Sequence, residues 1–336
     1  MKVLFVVPYF GLPGLMSDTL PGQLAKRGYD VEVVGYAKDK EKVIRSEDIN
    51  IKFNFVDAIS FSIPNFVTEF PYFLNLDKII EQRQPDLIHI NTLPFLTSIQ
   101  SVHIAKKFGI PSILHVHGVI GIYNKVLDFA QYAFIRTLMR TAFRDVTLVI
   151  CLTKNDAFEV QKFGCPHRKI RIIPNGVNVE RFSPMQNSIN NNLIFWGGRF
   201  IKQKGLEYLI RAMHIIVKTK PSIKLVMTGD GPLFPKISNM VKKFNLTENV
   251  IFLGFVHREK LLGIISSCSI CVFPSLKEGM PFMLLEAMAC GKPVIGSNIP
   301  GINDVITHGK NGILVPPRNS EALANAIMLL IKDTDL

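Results

Sequence analysis

Two carboxylates in one short stretch carry the most chemistry in this sequence: Glu278 and Glu286, in Glu278-Gly-Met-Pro-Phe-Met-Leu-Leu-Glu286, followed by Ala-Met-Ala-Cys-Gly-Lys-Pro-Val. The residue types describe a strand that turns through Gly279 and Pro281 and enters a helix, with Glu286 about two turns beyond Glu278. Gly279 permits unusual backbone angles, and the free amides that open such a helix can receive an anion such as a diphosphate. A carboxylate ahead of the helix can face a sugar, and one inside its opening turns can accept two hydroxyl hydrogen bonds from a ribose. Either glutamate alone is more often a solvated charge at a helix end than a ligand contact. The glycine, the proline and both acids in one strand-turn-helix setting give the functional reading its mechanism.

The elements that must position these residues follow from hydrophobic patterning. Apolar runs at Lys2–Val7, Val31–Tyr36, Leu87–Asn91, Ser112–Val116 and Thr147–Leu152 read as strands, alternating with helical periodicity. They are almost continuously apolar, as in parallel strands covered by helices on both faces. The polar segment Ser183–Asn192 (SPMQNSINNN) breaks the rhythm, which restarts with strands near Leu193–Trp196, Ile223–Met227, Val250–Leu253, Ile270–Phe273, Pro293–Ile295 and Ile313–Val315. The expected fold is α/β: two doubly wound Rossmann-like domains, residues 1–182 and 193–336, joined by a linker at 183–192. Ligands of such sheets bind beyond the carboxyl ends of the strands, so a cleft between the domains is the expected site.

The Glu278–Glu286 segment resembles the E-x7-E signature of the family 4 retaining glycosyltransferases, also called group 1 glycosyl transferases, and the resemblance covers nearly the whole chain. It implies the two-domain GT-B architecture, a nucleotide-sugar donor held mainly by the second domain, and no metal for donor binding. It also implies that Glu278 orients the donor sugar and stabilises charge on its ring without acting as a covalent nucleophile, that Glu286 holds the ribose, and that Gly279, Met280, Pro281, Phe282 and Met283 line the donor. Gly197-Gly198-Arg199-Phe-Ile-Lys-Gln-Lys204-Gly205 is a second match, in which Gly198 approaches the donor while Arg199 and Lys204 neutralise its diphosphate. Two fixed cations can take the place of a metal as the leaving diphosphate gains charge; solvated loop cations are the alternative.

Further matches fall in family order. Pro174-Asn-Gly-Val-Asn178 resembles a P-N-G-V-D turn, with Asn178 in place of aspartate and a structural role open to it. Gly229-Asp-Gly-Pro232 resembles a G-x-G-P turn, and Gly254-Phe-Val256 resembles the segment whose backbone meets the nucleotide base; both also read as ordinary strand-end turns. In the first half, His115-Val-His117-Gly118 ends an apolar strand where the family has a histidine facing the donor sugar, and His117 fits better. The loop after the first strand carries Gly11 and Gly14, separated where the family often has adjacent glycines. The implied catalytic set is Glu278, His117, Arg199 and Lys204. The implied reaction transfers a sugar, with retention, to a hydroxyl of a saccharide or lipid-linked acceptor. A non-catalytic nucleotide-sugar-binding subunit and a nucleotide-sugar epimerase of the same architecture are the alternatives.

Composition bounds these readings. The net charge is +12, and residues 181–336 hold +8 of it with 18 Lys/Arg against 10 Asp/Glu, which favours an anionic partner. No nucleic-acid module accompanies that charge, and no G-x-G-x-x-G follows the opening strand as a dinucleotide-binding dehydrogenase would need. Five scattered cysteines without a secretory signal fit a reducing cytoplasm. Cys268 and Cys271 form a C-x-x-C, but with no second ligand pair they read as packed thiols, so no metal site is expected. No apolar stretch is long enough to span a bilayer. A helical stretch from Tyr123 to Arg144 carries Arg136, Arg140 and Arg144 at four-residue spacing among Phe129, Tyr132 and Leu138. It reads either as a surface for an anionic membrane, on its inner face, or as a core helix with a solvated arginine stripe. The aromatic run Phe61–Phe73 suits a greasy acceptor or simple core. The chain stops at Leu336 just after a helix read over Glu321–Ile331, whereas the family continues into a helix crossing back to the first domain, which is therefore expected to be missing.

Overall fold

The computed structural model describes residues 1–9, 19–36, 51–62, 69–93, 95–119, 125–185 and 189–332. It divides into two compact units, Met1–Pro174 and Asn175–Leu336. The boundary therefore lies before the polar segment at 183–192. The reason is Phe182, fully buried in the second unit against a cluster that includes Phe195, Leu261 and Phe273. Burying a phenylalanine contributes about 2 kcal/mol, enough to tie the chain ahead of it to that core.

In chain order the first unit contains β1 (Lys2–Tyr9), α1 (Leu20–Lys26), β2 (Asp30–Tyr36), β3 (Ile51–Phe55), β4 (Ala58–Ser62), β5 (Glu69–Phe73), α2 (Leu76–Arg83) and β6 (Leu87–Asn91). It continues with α3 (Leu96–Lys107), β7 (Ser112–Val116), α4 (Lys125–Asp145), β8 (Leu148–Cys151), α5 (Lys154–Lys162) and β9 (Ile170–Ile172). Seven strands form one parallel sheet in the order β3-β2-β1-β6-β7-β8-β9, while β4 and β5 pair as an antiparallel hairpin. Alternate strand residues feed two cores, Leu4, Val6 and Val34 on one face and Val3, Phe5, Val31 and Val33 on the other. Burial on both faces is what the continuous apolar runs predict.

The second unit contains β10 (Asn190–Gly197), α6 (Leu206–Val217), β11 (Lys224–Thr228), α7 (Phe234–Lys243), β12 (Val250–Gly254) and α8 (Arg258–Ser267). Then come β13 (Cys268–Phe273), α9 (Phe282–Ala289), β14 (Val294–Ser297), β15 (Ile313–Val315) and α10 (Ser320–Lys332). Its six-stranded parallel sheet runs β12-β11-β10-β13-β14-β15. In both units the order reverses beside the first strand, which makes the ends of β1 and β6, and of β10 and β13, the switch points where doubly wound sheets bind ligands.

The helix read over Tyr123–Arg144 is α4, described from Lys125 onward, and it has a buried and an exposed face. Ile135, Met139, Ala142 and Phe143 are buried, whereas Val126, Phe129 and Leu138 are 77%, 73% and 51% exposed beside solvated Arg136, Arg140 and Arg144. Of the run from Phe61 to Phe73, residues 61–62 end β4 and residues 69–73 form β5, while 63–68 lie outside the described residues; Phe73 is buried and Tyr72 exposed. All five cysteines are buried and free, and burial pushes Cys268 up to about 12. Among the described residues no helix is long and apolar enough to cross a membrane.

Candidate functional site

The loops that leave β10, β11, β12 and β13 are laced together through glycines. Gly198 donates its amide to the Thr228 carbonyl (3.0 Å), Phe200 to Asp230 (2.9 Å), and Gly229 to Gly254 (2.7 Å). At Gly229, with φ 111°, an added β-carbon would stand 1.9 Å from the Gly198 carbonyl oxygen, so only glycine lets these loops meet.

The loop after β10 brings Lys204 to Glu278. Gly205 takes φ 64° and lies so close to Pro274 that a β-carbon would fall 2.0 Å from its carbonyl oxygen. Leu276 then donates its amide to the Gln203 carbonyl at 2.6 Å. With the two loops joined, Lys204 Nζ donates to Glu278 Oε1 at 2.6 Å, and Ser275 Oγ donates to the same oxygen at 2.6 Å. Both charged side chains are largely sheltered, 21% and 11% exposed. The lysine stem packs near Gly198 as well, its Cε 3.7 Å from where a β-carbon would lie. Arg199 is exposed on the same loop and forms no ion pair among the described residues.

Beyond Glu278 the chain enters α9 through Pro281. The Pro281 carbonyl accepts from Leu284 and Leu285, while the amides of Phe282 and Met283 meet no acceptor among the described residues. Those two donors and the helix dipole leave the opening turn suited to an anion. Met283 reaches back to β10, its Cε 3.1 Å from where a β-carbon on Gly197 would lie. Met280 is buried and Phe282 half exposed. Glu286 is inside α9 and 2% exposed, and its charge helps burial push the Cys290 thiol up to about 11.

Gly279 is not the residue with the unusual backbone. Gly301 has φ 85° and packs on the Gly279 carbonyl, where a β-carbon would come within 2.2 Å of the oxygen. The constraint is thus on the segment that supports the turn. Asn175 supplies a second support by donating Nδ2 to the Met280 carbonyl at 2.9 Å. Asn178 accepts from the amides of Glu180 (3.0 Å) and Arg181 (3.3 Å) with its side chain, which gives the Pro174–Asn178 turn a structural role. Val256 is half-buried against the core that holds Phe182.

In the first unit, His117 follows β7 and is half-buried, with Nε2 2.6 Å from Asn91 Oδ1 at the end of β6. Its ring stacks on His115 with centroids 4.2 Å apart. Burial lowers the His117 pKa to about 4, so the imidazole is neutral near pH 7. Gly11 and Gly14 lie outside the described residues. Sequence reasoning did not single out Ser275, Asn91 or Asn175 as partners: Asn91 and Asn175 act on residues distant in sequence, whereas Ser275 lies three residues before Glu278 and its hydroxyl carries no motif signal of its own.

The family described as "Glycosyl transferases group 1" matches residues 180–336, and "Glycosyltransferase Family 4" matches residues 18–181. An uncharacterized glycosyltransferase of Methanocaldococcus jannaschii, MJ1178, is 31% identical over 79% of this chain and 72% of its own length. A UDP-Gal:alpha-D-GlcNAc-diphosphoundecaprenol alpha-1,3-galactosyltransferase of Escherichia coli is 26% identical over 92% of this chain and 82% of its own length. Against another archaeal relative, 30% identical, the chain spans 63% of the length. A crystal structure of Anabaena HepE in complex with UDP and glucose superposes with a TM-score of 0.80 at 21% identity, covering 99% of this chain and 90% of that one, which shows a shared GT-B fold.

Proposed function

The chain belongs to the group 1 glycosyl transferases, and from that premise we propose that it moves a hexosyl group from a UDP-sugar to a hydroxyl of a saccharide or lipid-linked acceptor, with retention of configuration and without a metal. The observation that carries this reading is the Lys204–Glu278 pair at 2.6 Å, set between the Gly198–Arg199 loop and the open first turn of α9. UDP as the carrier is supported by the relative named for UDP-Gal and the neighbour that holds UDP.

As the glycosidic bond to phosphate breaks, negative charge collects on the diphosphate and positive charge on the sugar ring. Arg199 turns onto the diphosphate, Lys204 shares its donors between Glu278 and a phosphate oxygen, and the Phe282 and Met283 amides take another. Fixed cations and dipoles aimed at developing charge supply the stabilisation that a metal supplies elsewhere. Glu278, held by Ser275 and Lys204, faces the sugar; Glu286 takes the ribose hydroxyls. The acceptor hydroxyl attacks from the face the diphosphate leaves, and its proton passes to the departing phosphate.

The exposed apolar residues of α4, flanked by Arg136, Arg140 and Arg144, support peripheral attachment to an anionic membrane, where lipid-linked acceptors lie. Co-sedimentation with phosphatidylglycerol vesicles tests it. Phe129→Ser with Arg136→Ser should release the protein, and binding that ignores both changes would remove the attachment.

The donor reading is tested by thermal unfolding with UDP, GDP and ADP. UDP at a hundredfold its Kd should stabilise the native state by about 2.7 kcal/mol. Transfer from UDP-hexoses should then proceed in EDTA and give a product with the donor's anomeric configuration. No stabilisation by UDP, or an inverted product, would overturn the corresponding part.

A further inference from the structure

Four rings run across the first sheet from β1 to the end of β7: Phe5, His89, His115 and His117, with successive centroids 4.6, 5.4 and 4.2 Å apart. The Nε2 atoms of His89 and His115 are buried without a hydrogen-bond partner. Among the described residues, the polar side chain that reaches this column is Asn91, whose Oδ1 lies 2.6 Å from His117 Nε2.

The backbone beside Asn91 is held in an unusual state. Thr92 has φ 88°, a left-handed conformation that is a genuine outlier for a β-branched residue. Its amide donates to the His115 carbonyl at 2.8 Å, and its own carbonyl accepts from Ser98 Oγ at 2.8 Å. Such strain persists where surrounding contacts over-determine it, and here those contacts bind the end of β6 to β7, next to His117.

A neutral imidazole carries one proton, and the partner of one nitrogen decides which. A carbonyl oxygen facing Nε2 requires the proton there and leaves a lone pair on Nδ1. We propose that Asn91 is a positioning residue that keeps His117 in the Nε2–H tautomer and so presents Nδ1 as a hydrogen-bond acceptor. The use of that acceptor in turnover rests on the proposed function, whereas the tautomer does not.

The experiment is a long-range ¹H–¹⁵N spectrum of the whole labelled chain at pH 7, with His117 assigned by loss of its signals in His117→Gln. A protonated Nε2 and an unprotonated Nδ1 are expected; a protonated Nδ1 overturns the proposal. Asn91→Leu should show both tautomers of His117 and lower kcat/KM for the UDP-sugar about tenfold while UDP affinity stays within twofold. Asn91→Asp, which keeps an acceptor facing Nε2, should restore the single tautomer. A His117 spectrum indifferent to Asn91→Leu would equally overturn it. If no UDP-sugar is turned over, the proposed function falls while the spectrum still decides the tautomer.

Discussion

Lys204 and Glu278, 74 residues apart in sequence, share a 2.6 Å hydrogen bond, and Ser275 donates to the same carboxylate oxygen. One acid therefore fixes the lysine and faces the space ahead of α9. Glu278→Gln should lower kcat on the order of a hundredfold, because charge on the sugar ring loses its counterpart. The same change removes a negative charge close to where a diphosphate would sit and frees Lys204, so UDP affinity should hold or rise. Calorimetric titration with UDP beside steady-state kinetics separates the two; weaker UDP binding with unchanged kcat would refute the assignment.

Arg199 and Lys204 offer the same charge from opposite structural situations. Arg199 is exposed and makes no ion pair among the described residues, so Arg199→Ala should move stability by no more than about 0.5 kcal/mol. Lys204→Ala leaves a sheltered carboxylate with Ser275 alone and should cost roughly 1 to 2 kcal/mol, below the penalty for a fully buried pair because both groups retain some solvent. Both variants should lose about a hundredfold in turnover. Urea unfolding of each variant provides the comparison, and equal destabilisation would show that the local packing has been misread.

The sequence carried the buried strands well and the edges poorly. Leu87–Asn91, Ser112–Val116 and Ile313–Val315 have the bounds their apolar runs imply, because Pro85, Pro111, Gly312 and Pro316 punctuate the chain beside them. β3 is Ile-Lys-Phe-Asn-Phe on the sheet's edge, β9 is three residues long, and β5 contains Pro71, so none produces a strong apolar run. At the candidate site the contiguous Glu278–Glu286 segment was readable because its turn and helix start are local. The Lys204–Glu278 contact, Asn175 on Met280 and Asn91 on His117 depend on strand order, which places β13 beside β10 and β6 beside β7. The motif points to Gly279 for the special backbone, whereas the steric demand falls on Gly301 packed against it.

Glycines in equally left-handed conformations should differ sharply in what they tolerate. Gly205 and Gly254 both have φ 64°, but a β-carbon on Gly205 meets the Pro274 carbonyl at 2.0 Å and one on Gly254 meets nothing within 4 Å. Gly254→Ala should cost about 1 kcal/mol from backbone strain alone. Gly205→Ala must push apart the loops that hold Lys204 against Glu278, costing several times as much and loosening that ion pair. Melting temperatures order the two variants, and comparable losses would show that the loop contact yields easily.

Acid should weaken the first unit through its histidine column. Burial, with smaller contributions from neighbouring histidines, lowers His89 to about 3 and His115 to about 2; burial alone brings His117 to about 4. The unfolded chain binds these protons near pH 6.5, so between there and pH 4 it carries more protons than the native state, and stability falls as pH falls. Each histidine contributes roughly 1.4 kcal/mol of loss per pH unit across that window. His89→Leu removes one buried imidazole and its unpartnered Nε2 at similar volume. It should match or exceed the parent's stability at pH 7 and show a shallower decline toward pH 5. Urea midpoints at both pH values measure the difference, and parallel declines would mean that His89 accepts a proton in the native state as readily as it does in the unfolded chain.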